Sequence, residues 1–155
     1  MRRIFLIGWL IWLIDFATKT WAQNTLSTRE PVKLIGSLLQ LTYLQNSGAA
    51  FSLGTSSTII FSLIALATSL TITYYANRIT SKGWAAVMGL VLGGVFGNLT
   101  DRIFREPALL RGGVIDWIQL PHWPVFNIAD SAIVIAACIA VVLSARNITP
   151  IKRIN

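Results

Sequence analysis

Four long apolar runs, at residues 4–22, 58–76, 83–104 and 126–145, constrain this chain more than any other feature. Each comes close to or reaches the ~20 residues a helix needs to cross the hydrocarbon core of a bilayer. Lipid offers no water to an open N–H or C=O, so a spanning run of this kind is expected to be helical. Composition agrees: 54% of the 155 residues are hydrophobic and 12% are charged, where a soluble domain carries about 25% charged residues. The expected architecture is an all-α membrane protein of four transmembrane helices, built as one domain over residues 1–155.

The first run has a rival reading. Arg2 and Arg3 followed by apolar Ile4 to Ile14 resemble the start of a cleaved signal peptide. No good small-residue cleavage pattern follows, however, and Asp15 and Lys19 extend the segment at helical spacing.

A net charge of +7 raises nucleic acid as a partner. The basic residues instead sit at the edges of the apolar blocks, which suits a membrane surface and argues against nucleic acid. Arg2 and Arg3 precede the first run, Arg78 and Lys82 separate the second and third, and Arg146, Lys152 and Arg153 follow the fourth. With an even number of spans these segments share one side, so both termini are expected to be cytoplasmic. Arg102, Arg105 and Arg111 run against that bias. The single Cys138 and single His122 leave no internal disulfide and no His/Cys zinc site, so neither metal nor cofactor is expected.

The two outer connections carry structure of their own. Leu39, Leu41 and Tyr43 alternate with Gln40 and Thr42, as in a half-buried strand. Gly112-Gly113 is a turn signal before a second strand-like piece, Val114 to Ile118, and Pro121 and Pro124 stop it. A small extracytoplasmic β element is the result.

The aspartates are the main functional clue. Asp15 lies toward the outer end of the first run and Asp101 at the outer end of the third. Asp116 lies in the outer connection and Asp130 in the first turns of the fourth run. All four come to one depth, and acids in membrane helices mark functional sites by default. Asp15 and Lys19 are spaced i, i+4, as a neutralising pair or as part of a site. Asn98–Asp101 and Asn127–Asp130 are spaced i, i+3, where the amide either steadies the carboxylate or glues helices together. Gly89, Gly93 and Gly97, with Gly94 beside them, form a small-residue ladder for close helix packing. Asn98 and Asp101 continue that ladder and are expected to face the bundle interior. Asn46-Ser47-Gly48-Ala49-Ala50-Phe51 suits either close backbone approach or a plain entry into the second helix.

Acids gathered at one depth, with apolar inner halves in helices two and four, argue against an ion or solute path. A non-catalytic scaffold explains the glycines but not the acids. A Ser–Lys enzyme built from Lys19 with Ser47 or Ser131 lacks a nucleophile motif.

Taken in order, five segments resemble the lipoprotein signal peptidases, or signal peptidase II, of bacteria: 15–19, 46–51, 93–102, 114–117 and 126–130. The resemblance covers nearly the whole chain. Trp117 stands where the family usually has Phe, the stretch from Asp101 to Asp116 is somewhat long, and that from Asp116 to Asp130 is somewhat short. The resemblance implies an aspartic endopeptidase without a metal. Its substrate would be a prolipoprotein, cut before a cysteine that already carries diacylglycerol. It also implies a multi-pass protein of the bacterial cytoplasmic (inner) membrane, working as a monomer among membrane lipids. Asp116 and Asp130 would form the catalytic dyad, with Asp101 as the alternative member. Asp15, Lys19, Asn46, Gly48, Asn98, Asp101, Arg102 and Asn127 would support the site or contact substrate. Two close carboxylates share one proton. Asp130, near a helix N-terminus, is expected to be the ionised base and Asp116 the acid.

Overall fold

In the computed structural model, which describes residues 1–47 and 56–151, four long helices carry a small sheet at one end. Helix α1 is Arg2–Leu26, α2 Ser56–Tyr75, α3 Lys82–Phe104 and α4 Ile128–Ala145. All four are long and apolar enough to cross a membrane. They follow the four apolar runs, with two adjustments. The first helix continues a turn past residue 22, to Leu26. The fourth starts at Ile128, because Phe126 pairs with Ile118 instead.

Large apolar side chains face outward along the helices, such as Trp9, Leu63, Leu70 and Val141. In water such a surface would be untenable, whereas in lipid it is the solvated face. Helix α3 is the hub. In its apolar window 44% of residues are buried, against 17–22% in the other three, and α1, α2 and α4 all pack on it.

The glycine ladder explains how close that packing is. A Cβ at Gly89 would lie 2.9 Å from Ile4 O, and one at Gly93 would lie 2.6 Å from Gly8 O, so these two admit α1. A Cβ at Gly94 would lie 2.5 Å from Ala129 O, so this position admits α4. At Gly97 the obstacle is a carboxylate, Asp15 Oδ2, at 2.5 Å. The ladder thus serves two neighbours at once and ends at an acid.

Three antiparallel strands form the sheet, in the order β1 (Val32–Ile35), β2 (Leu39–Asn46), β3 (Val114–Gln119). β2 and β3 are the two expected strands; β1 was not anticipated. Its four residues are all exposed, so it carries no in–out alternation to read. Leu41 and Tyr43 of β2, with Ile115 and Trp117 of β3, pack on Ala22 and Leu26 of α1. That contact seats the sheet on the end of α1. β2 pairs with β3 through Leu44↔Asp116 and Asn46↔Val114, past an irregularity between Leu41 and Leu44. Gly112 and Gly113 are needed for space, not for a turn. A Cβ on Gly112 would run into Asp101 O, and one on Gly113 into the Gln45 side chain.

Candidate active site

The sheet, α3 and the start of α4 converge at the end of α1 where Asp15 and Lys19 lie. All four aspartates meet there, in two chemically different settings.

Asp15 and Asp101 are held by cations. Lys19 Nζ lies 2.7 Å from Asp15 Oδ2 and 2.8 Å from Asp101 Oδ2. It also donates to Asn98 Oδ1 at 2.9 Å. Its three N–H donors are therefore all engaged, and the residue is 1% exposed. Asp101 has a second cation, Arg105, with Nε 2.5 Å from Oδ1. Arg105 in turn donates to Gln23 of α1. Two acids and two bases leave this group neutral, as a buried cluster must be. Asp101 also accepts from the Ile115 backbone N–H at 3.2 Å and so anchors β3. Asp15 accepts from Ala129 N at 2.9 Å, which satisfies an otherwise open N–H in the first turn of α4.

Asp116 and Asp130 are held by amides. Asn127 Nδ2 donates to Asp116 Oδ1 at 2.7 Å, and Asn46 Nδ2 donates to Oδ2 at 3.1 Å. Asn98 Nδ2 donates to Asp130 Oδ1 at 2.8 Å. Asn127 caps α4 by accepting from Asp130 N, while Asp130 Oδ2 accepts from Asn127 N at 3.2 Å. This reciprocal capping box aims Asp130 back toward the residue that grips Asp116. Asn127 is wholly buried and also donates to Asn98 Oδ1 and Ile115 O. Lys19 on Asn98 Oδ1 leaves the Asn98 amide nitrogen for Asp130. The charges thus connect in one network: Asp15 and Asp101 to Lys19, Lys19 to Asn98, and Asn98 to Asp130 and Asn127.

Burial pushes the Asp116 carboxyl from its ordinary value of 3.8 up to about 6, and the like charge of Asp130 adds to the rise. Donors from Asn46 and Asn127 and the charge of Lys19 pull the other way. Asp116 is 2% exposed, whereas Asp130 is half-buried. Arg102, also half-buried, donates to Asn98 O at 3.3 Å and lies within electrostatic reach of Asp130, Asp101 and Asp116.

Of the residues singled out in the sequence, Asp15, Lys19, Asn46, Asn98, Asp101, Arg102, Asp116, Asn127 and Asp130 all join this cluster. Gly48 lies outside the described residues. Asp15 and Lys19 form the neutralising pair, but the pair reaches further, binding α3 and capping α4. Arg105 and Gln23 were missed. Arg105 stands i, i+4 from Asp101, so its spacing was a usable signal; Gln23 lies on another helix and had none.

Residues 7–146 match the family model described as signal peptidase (SPase) II. The chain is 42% identical over 147 residues to a lipoprotein signal peptidase of Streptomyces coelicolor, an alignment covering 95% of this chain and 72% of that one. It is 40% identical over 144 residues to the lipoprotein signal peptidase of Mycobacterium tuberculosis, covering 93% and 71%. A bacterial membrane enzyme solved by the in meso method at 1.9 Å resolution shares the fold, with a TM-score of 0.81 at 23% identity over 93% of each chain. A second, at 2.3 Å resolution, gives 0.80 at 21% identity over 100% of this chain and 94% of that one.

Proposed function

The chain belongs to the signal peptidase II family and is therefore a membrane peptidase, and we propose that it is an aspartic endopeptidase with Asp116 and Asp130 as its dyad. The substrate in this reading is a prolipoprotein whose cysteine already carries diacylglycerol. The scissile bond is presented at the outer face of the cytoplasmic membrane. The whole of residues 1–155 acts as one domain, as a monomer and without a cofactor or nucleic acid.

One observation carries the choice of dyad: among the described residues Asp116 and Asp130 are gripped by amides, whereas Asp101 is committed to Lys19 and Arg105. A carboxylate fixed between two cations is a structural counter-ion and is not placed to pass on a proton. A pair held by neutral donors can share one and exchange it. Asp130 sits in the first turn of α4, where the helix end favours negative charge. It takes the proton from the attacking water. Asp116, whose carboxyl titrates high, holds the proton that polarises the scissile carbonyl and then serves the leaving nitrogen. Water adds across the amide, one fragment leaving as carboxylic acid and the other as amine. Asn127 keeps the two acids in register. Arg102 faces the same charges and is available to a substrate carbonyl.

A serine nucleophile activated by Lys19 is disfavoured. All three Lys19 donors are engaged, and Ser131 Oγ donates to Asn127 O at 2.9 Å. The test is cleavage of a diacylglyceryl-modified prolipoprotein by the purified protein, with and without EDTA. Cleavage unaffected by the chelator is expected. Loss in EDTA with recovery on adding zinc would overturn the aspartic reading.

A further inference from the structure

We infer that the groove between α1 and α2 holds one anionic phospholipid, with its phosphate at Arg2 and an acyl chain laid along the groove. Helices α1 and α2 each pack on α3 but, among the described residues, make almost no contact with one another. The gap is a cavity of ≈ 660 Å³ that runs along α1 from Arg2 to Trp12. Leu6 and Trp9 of α1 form one wall, Thr73 of α2 lies across from them, and Phe96 of α3 contributes to the floor. Leu6 and Trp9 are more than half exposed, so the groove opens directly to lipid.

Its two ends differ. Arg2 stands at one. At the other, Trp12 is pinned across to α3 by its indole N–H on Thr100 Oγ1 at 3.0 Å, and it stacks on Phe16. The groove therefore runs from a cation at headgroup level to an aromatic stop beside Thr100, with room along it for an acyl chain. A guanidinium matches a phosphate in charge and in fork geometry.

The competing occupant is the substrate's own signal peptide. Its helix would have to pass Trp12 to reach the aspartates. Its positively charged leading region would also lie against Arg2 and Arg3, given the cytoplasmic N-terminus proposed above. Charge and the stop at Trp12 both favour the lipid.

Native mass spectrometry of the full-length protein, stripped of lipid in detergent, tests this with phosphatidylglycerol and phosphatidylcholine of identical chains. Phosphatidylglycerol should bind about fivefold more tightly, the worth of one cation at a membrane surface. Arg2→Gln should abolish that preference. Arg3→Gln removes the same charge from a side chain that does not line the groove and should leave the preference intact. Leu6→Trp narrows the groove from its lipid-facing wall, and should weaken both lipids without altering the melting temperature. Equal binding of both lipids by the unaltered protein would overturn the proposal, as would equal losses from Arg2→Gln and Arg3→Gln. So would capture of a synthetic signal peptide by a photo-reactive residue at position 6.

Discussion

Aspartate meets two kinds of partner in this molecule, cations at Asp15 and Asp101 and amides at Asp116 and Asp130. Asp116→Asn and Asp130→Asn remove a transferable proton while keeping volume and hydrogen-bonding capacity. Each should lower prolipoprotein cleavage by at least about 10²–10⁴-fold at unchanged membrane yield, and the double variant should be scarcely worse than either single one. Asp101→Asn is different: it leaves Lys19 and Arg105 facing one carboxylate fewer in a buried cluster. Breaking such a pair costs about 3–5 kcal/mol, so the expected loss is of folded protein, read as yield and melting temperature. Full activity in Asp116→Asn, beside a well-folded but dead Asp101→Asn, would move the dyad to Asp101 and Asp130. Asp116 also carries a pH signature. Its folded-state carboxyl titrates near 6, above the ordinary 3.8. The folded protein keeps that proton where the unfolded chain has lost it. This site's stabilising contribution is therefore present at low pH and declines as pH rises from about 4 to about 6. Infrared titration of the carboxyl band should give a midpoint near 6. Asp130→Asn removes the like charge but not the burial, so the midpoint should fall while staying above the ordinary value.

At the scale of elements, α3 is both scaffold and ruler. Its glycines let α1 and α4 come close enough for Asp15 to reach the first turn of α4, and Gly97 is the position where the two contacts meet. A methyl there meets Asp15 Oδ2, which Lys19 holds while Ala129 N holds Oδ1, so the carboxylate cannot swing away. Gly97→Ala should cost about 1–3 kcal/mol as overpacking and should depress cleavage as well, since α4 carries Asp130. Gly83→Ala meets only the end of the Leu143 side chain at 3.0 Å, which can rotate. It should leave both melting temperature and activity near those of the unaltered protein. Equal effects of the two substitutions would mean that the α3–α4 approach does not set the site.

For the whole molecule the property that matters is orientation. Arg2, Arg3, Arg78, Lys82 and Arg146 cluster at the helix ends opposite the sheet and the aspartates. By the positive-inside rule that end is expected to be cytoplasmic, which would put the site on the outer face. A reporter fused after residue 155 should be active only in its cytoplasmic form. A periplasmic signal would invert the topology and place the aspartates on the wrong side for an exported substrate.

The four helices were legible in the residues because helix formation in lipid is a local demand: every apolar run must satisfy its own backbone. The common depth of the acids was legible for the same reason, since distance along a helix axis follows from residue count alone. The strands β2 and β3 announced themselves by apolar patterning and turn residues, whereas β1, exposed throughout, offered no pattern. What a linear chain leaves open is azimuth, meaning which face of one helix meets which face of another. The ion pair from Lys19 to Asp101 and the reach of Asp15 into α4 depend on that packing, as do the grips of Asn98 on Asp130 and Asn127 on Asp116. Spacing therefore found the acids as a group. Only the tertiary structure separated them by partner, bringing two cations to Asp101 and, among the described residues, amides to Asp116 and Asp130; the proposed division of labour rests on that difference.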